Sequence, residues 1–95
     1  MLVKLGVDIS RLSRECRRSL KKVDALFAAL RSEAVVTSTY EGNHSPSSLH
    51  YANAAYDIRL APDSVSGFVK LREALGKDFD VVLEGDHYHV EYDPK

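Results

Sequence analysis

In the first third of the chain, hydrophobic residues recur every three or four positions: Leu12, Cys16, Leu20, Val23, Phe27 and Leu30. That spacing predicts an amphipathic helix over residues 11–31, with Ser10 as its N-cap and one apolar stripe turned to a core. Ahead of it, Val3, Leu5, Val7 and Ile9 alternate with polar or small residues and predict a short extended segment. Ala34–Thr39 is a short strand, rich in β-branched residues, that runs into the polar loop Glu41-Gly42-Asn43-His44-Ser45-Pro46-Ser47-Ser48. Alternation returns from Ala54 to Leu60, with Tyr56, Ile58 and Leu60 on one face and Ala55, Asp57 and Arg59 on the other. Pro62 and Asp63 end that strand. Val65, Phe68, Leu71 and Leu75 then predict a second helix from residue 64 to Gly76. Phe79–Leu83 and His87–Tyr92 read as an antiparallel hairpin turning at Glu84-Gly85-Asp86. Its second strand puts His87, His89 and Glu91 on one face and Tyr88, Val90 and Tyr92 on the other.

Together these elements predict an α+β fold: a small antiparallel sheet, with the N-terminal helix and the second helix on one face and the polar side chains on the other. The 95 residues suit one domain with a single core, and neither a repeat nor a low-complexity segment divides them.

Charge changes the picture locally rather than globally. The net formal charge is −1, which gives no overall field for holding nucleic acid or an anionic membrane. Residues 1–33 nevertheless carry eight Lys/Arg against four Asp/Glu, and residues 34–95 carry five against ten. Much of the basic excess is Arg11, Arg14, Arg17, Arg18, Lys21 and Lys22 on the first helix, read here as a solvated helix face in preference to a patch for an anionic polymer. Cys16, the one cysteine, rules out an intrachain disulfide and sits on the apolar stripe as a small buried hydrophobe. With no long apolar run and no cleavage-site pattern at the N-terminus, we expect a chain made in the cytoplasm without signal peptide or transmembrane helix.

The candidate chemistry lies in two short segments, Ser48-Leu49-His50 with Asp57 and Glu84-Gly85-Asp86-His87-Tyr88-His89. A catalytic Zn²⁺ site needs three protein ligands and an open position for water, and His50, Asp57 and His89 have the right chemistry to supply them. If the strand of Asp57 pairs with the strand of the two histidines, Asp57 comes beside His87 and His89, with His50 approaching from the preceding loop. Two acids stand three residues before a histidine. Either Asp86 is the base with His89 the ligand, or Glu84 is the base with His87 the ligand, and period-two geometry keeps both histidines on one face.

These residues resemble the zinc D-alanyl-D-alanine carboxypeptidases, dipeptidases and phage endolysin peptidases that share a fold with the hedgehog signalling domain. The family motif SxHxxGxAxD reads here Ser48-Leu49-His50-Tyr51-Ala52-Asn53-Ala54-Ala55-Tyr56-Asp57, and its second motif reads Asp86-His87-Tyr88-His89. Val35-Val36-Thr37-Ser38-Thr39-Tyr40 is similar to the family strand that leads into an SGYR-type turn. The resemblance implies His50, Asp57 and His89 as zinc ligands, Asp86 as general base and His87 as the group that stabilises charge on the tetrahedral intermediate. Ser48 would fix the loop, His44 would contact substrate or orient a ligand, and Glu84 would be exposed or support the site. The chain departs from the pattern at Asn53, which replaces the motif glycine, and at Glu41, where many relatives carry an arginine. Arg59, on the face of Asp57, is the candidate to replace that arginine in gripping a substrate carboxylate.

The resemblance implies a zinc metallopeptidase cutting peptidoglycan stem peptides, its compact size suiting a phage-encoded lytic module that acts at the cell wall. Such a chain would act on wall peptide rather than nucleic acid or membrane, with a second subunit or virion protein completing a short groove. Two alternatives stay open: a noncatalytic zinc-bearing interaction module such as a virion protein, and a nonhaem iron oxygenase, whose two histidines and one carboxylate use the same ligand types.

Overall fold

The computed structural model describes residues 1–39 and 54–94. Its elements run β1 (Leu2–Val3), α1 (Arg14–Ala29), β2 (Val35–Thr39), β3 (Ala55–Arg59), α2 (Ser64–Leu75), β4 (Phe79–Leu83) and β5 (His87–Tyr92). The strands form one five-stranded sheet in the order β1-β2-β3-β5-β4. The predicted wholly antiparallel sheet needs one correction, because β1 pairs parallel to β2. α1 is the crossover between them, and a strand that leaves a sheet and returns through one helix re-enters running the same way.

Both helices cover the same face of the sheet. From α1 and the turn before it, Leu12, Cys16, Leu20, Val23 and Phe27 meet Val36, Tyr56, Ile58, Val81, Tyr88 and Val90 from the strands and Leu71 and Leu75 from α2. At the centre of this core, Ser19 Oγ lies 2.6 Å from Tyr56 Oη and donates to the Cys16 carbonyl at 2.6 Å. The buried hydroxyls thus satisfy one another. Burial pushes both the Tyr56 phenol and the Cys16 thiol up, so neither is poised to react.

Local chemistry moves two boundaries. Ser13, not Ser10, caps α1, accepting from the Cys16 N–H at 3.2 Å. Ser10 is held by Asp8, whose Oδ1 accepts from the Ser10 N–H at 2.8 Å and from its hydroxyl at 2.6 Å, so the chain turns before the helix begins. Those two bonds keep the Asp8 carboxyl below the usual carboxylate range. At the other end, Arg31 takes the left-handed conformation (φ 55°), while Arg31 N–H bonds to the Ala28 carbonyl and Ser32 N–H to that of Phe27. This closes α1 with a Schellman motif made without glycine.

α2 starts at Asp63, whose carboxylate accepts from the Ser66 N–H at 3.1 Å, and ends at Gly76 (φ 80°). Its buried line is Gly67, Leu71 and Leu75, whereas Val65, expected on the apolar stripe, is 63% exposed. Gly67 draws the helix onto Tyr88: a Cβ there would collide with the Tyr88 hydroxyl and come within 2.9 Å of the Ala61 Cβ. Tyr88 Oη donates to the Ser64 carbonyl at 2.8 Å and accepts from the Ala61 N–H at 3.3 Å. The residue between the two strand histidines is thereby bolted to the helix layer.

Candidate metal centre

The face of the sheet turned away from the helices is where period-two alternation sends the polar side chains of β3 and β5. In the β3–β5 register Asp57 stands opposite His89, Arg59 opposite His87 and Ala55 opposite Glu91. The predicted neighbourhood of Asp57 with both histidines therefore forms, on two of the central strands. On the far side of β3, Ser38 faces Asp57 across an irregularity in which Thr37 has no partner on β3. Such a bulge re-aims the strand beside a site, and here it lies just ahead of residue 40.

Asp57 is only 5% exposed, although it points away from the apolar core. A carboxylate taken from water must be paired or hydrogen-bonded. Its Oδ1 lies 3.1 Å from His89 Nδ1, and its Oδ2 lies 3.4 Å from His87 Nε2. The outer nitrogens of the rings also face acids: His87 Nδ1 is 2.6 Å from Asp86 Oδ1, and His89 Nε2 is 3.5 Å from Glu91 Oε1. The result is an alternating chain, Asp86–His87–Asp57–His89–Glu91, centred on the buried carboxylate.

Electrostatics follow from this order. The hydrogen bond to Asp57 is the main cause raising the His89 pKa above its usual value, partly offset by desolvation and helped further by Glu91. Asp86 is held below the usual carboxylate range chiefly by its bond to His87 and stays ionised in mildly acidic solution.

Two zinc ligands at ~2.0–2.1 Å and a tetrahedral angle lie about 3.3 Å apart. The Asp57–His89 pair, hydrogen-bonded at 3.1 Å, is separated by slightly less than one edge of such a tetrahedron. It is a pair and not a triad: among the described residues, no group of three His, Cys, Asp or Glu side chains is placed to hold a metal ion. The third expected ligand, His50, lies outside the described residues, as do Ser48, His44, Glu41 and Asn53. Compared with protein-family models and with curated proteins, the chain matches none.

The remaining expected site residues are placed as follows. Asp86 stands in the hairpin turn with its side chain 93% exposed and bonded to His87, so its carboxylate reaches the centre through that ring. Glu84, also exposed, closes the hairpin through its N–H to the His87 carbonyl at 2.9 Å. Arg59 is exposed at the end of β3. Glu91 is the residue to which the sequence assigned a face but no role. Its signal was its place two residues after His89, which puts it on the same side of β5 and beside the outer ring nitrogen.

Proposed function

We propose that the protein is a zinc-dependent peptidase of the kind it resembles, hydrolysing stem peptides of peptidoglycan, with His50, Asp57 and His89 as metal ligands. One observation carries the reading: a buried carboxylate faces a histidine across neighbouring strands at close to ligand-to-ligand distance, with a second acid three residues before that histidine. Bound there, Zn²⁺ supplies a Lewis acid for the scissile carbonyl and a water of lowered pKa. Asp86, ionised and at the rim, would be the general base that accepts the proton of the attacking water and delivers it to the leaving amine, a role that requires it to exchange its bond to His87 for one to that water. His87, bonded to Asp86 through Nδ1, would stabilise negative charge developing on the carbonyl oxygen through Nε2 by exchanging its 3.4 Å contact with Asp57 for one with that oxygen. His89 would hold the metal through Nδ1, the nitrogen turned to Asp57, with its Nε2–H directed to Glu91, which fixes the tautomer. Arg59, exposed on the same face, is available to a substrate carboxylate.

A noncatalytic zinc module is the second reading, favoured by the engagement of Asp86 with His87 and by Glu41 where relatives carry arginine. Release of amines and D-alanine from purified peptidoglycan by zinc-loaded protein separates the two. The peptidase reading requires release that disappears with a chelator and in Asp86→Asn; stoichiometric zinc without release leaves the noncatalytic module.

A further inference from the structure

β4 closes the sheet at one end, and two backbone bonds fix which of its groups face outward. Glu84 N–H donates to the His87 carbonyl at 2.9 Å, and Asp93 N–H donates to the Asp78 carbonyl at 2.8 Å. Asp80–Glu91 and Val82–His89, lying between them in the register, are therefore hydrogen-bonded pairs as well. Alternation then turns the N–H and C=O of Phe79, Val81 and Leu83 away from the sheet. Phe79 N–H bends back to the Gly76 carbonyl at 3.3 Å; among the described residues, the remaining five groups have no backbone or side-chain partner.

Natural sheets blunt such an edge with proline, lysine, a bulge or a very short strand. The opposite edge, β1, is two residues long. β4 is five residues long, pairs without a bulge and contains neither proline nor lysine, and its Val82 is 45% exposed.

Charge decides what can pair there. Asp78, Asp80 and Glu84 share the face of β4 that carries Val82. A second copy related by a two-fold axis must set outward-facing residues opposite one another, and each central register then meets like charges. Centred on Asp80 it puts Asp80 opposite Asp80, centred on Val81 it puts Asp78 opposite Glu84, and centred on Val82 it puts Asp80 opposite Glu84. Like charges directly opposite are destabilising. Lys77 gives no relief, because alternation puts it on the other face. On that face the edge runs beside a groove of about 590 Å³ between α2 and β4. Val69 and Phe79 give the groove an apolar surface, and its two cations, Arg72 and Lys77, are balanced by Glu73 and Asp80.

We propose that β4 is the docking edge for an extended segment of another polypeptide, which adds antiparallel as a further strand. Its side chains on one face are basic opposite Asp80 and Glu84, and those on the other are apolar and lie over the groove beside α2. Alternating backbone donors and acceptors select a strand as the occupant, and the row of acids selects a basic strand over a second copy. Antiparallel addition continues the ladder that runs from β2 to β4. None of this depends on the metal centre.

The probe is acetyl-Gly-Lys-Val-Val-Val-Lys-Gly-amide, which sets its lysines opposite Glu84 and Asp80 and its first and third valines opposite Leu83 and Val81. Titrated into the whole protein, it should bind saturably with a Kd below ~1 mM. NMR amide exchange at Val81 and Leu83 should slow by about tenfold or more in the complex. Glutamate in place of both lysines, or N-methylation of the first and third valines, should abolish binding; N-methylation of the middle valine, whose N–H points away from β4, should not. Glu84→Lys should weaken the parent peptide about two- to fivefold. The proposal is overturned by absent binding, by binding that leaves the Val81 and Leu83 amides unprotected, by equal binding of the glutamate peptide or of both N-methyl forms, or by unchanged affinity in Glu84→Lys. A dilution-sensitive dimer that protects the same two amides without peptide also overturns it, by making a second copy the occupant.

Discussion

Replacing Asp57 by asparagine keeps the side-chain volume and removes the charge that both imidazoles face. In metal-free protein the loss is largest when His89 is protonated. Hydrogen bonds to charged groups contribute about 1.5–3 kcal/mol and neutral ones about half as much, and the new amide oxygen still accepts one. The His87 and His89 side chains keep 27% and 21% exposure, so solvent screens part of the difference. A net cost of about 1–2 kcal/mol follows, or roughly 4–15 °C in Tm for a domain of this size. The sign of the pH dependence comes from His89. Its folded pKa is raised above 6.5, so its contribution is complete below that value and is lost as pH rises through the folded pKa. Urea unfolding with a chelator present should therefore give a difference between wild type and Asp57→Asn that is largest near pH ~5.5 and shrinks by pH ~9. A difference that is flat, or that grows with pH, would refute the claim that His89 is coupled to this carboxylate.

Two further outcomes follow from the layers around the centre. Glu91→Ala should lower zinc affinity by about 10- to 100-fold in competition titrations, with Glu91→Gln intermediate, because the outer nitrogen of His89 loses the acid that orients it; equal affinities would remove Glu91 from the site. Gly67→Ala should cost about 1–3 kcal/mol in urea unfolding through overpacking against Tyr88 and Ala61, and Tyr88→Phe should recover part of that cost by removing the hydroxyl; additive costs would contradict the docking described for α2.

How much of this was readable from the chain depends on which interactions set each feature. The hairpin strands Phe79–Leu83 and His87–Tyr92 were found at their observed limits, because alternation over five or six residues is a strong local signal. The same period placed Asp57 and the histidines on one face, and antiparallel pairing of their strands did the rest. β1 was illegible: two residues cannot establish a period, and Leu5, read as part of the same extended segment, is 98% exposed. The start of α1 was misplaced because Ser10 and Ser13 are chemically equal caps, and the choice fell to Asp8, which captures the first. The packing of α2 through Gly67 was hidden because hydrophobic periodicity counts side chains, and this contact depends on a missing one. At the site, residue types and spacing identified the acids and histidines, but the bond from Asp86 to His87 depends on the hairpin turn bringing neighbours together, which no spacing rule encodes.

The central claim is that Asp57 and His89 are two ligands of one metal and His50 the third. Titration of metal-free protein with zinc against a chromogenic chelator tests it most directly, using wild type, His50→Ala, His89→Ala and the exposed-site control Glu84→Ala. The account predicts one zinc per chain, lost in both histidine variants and retained in the control. Zinc binding that survives His50→Ala, or wild-type protein that binds none, would contradict it.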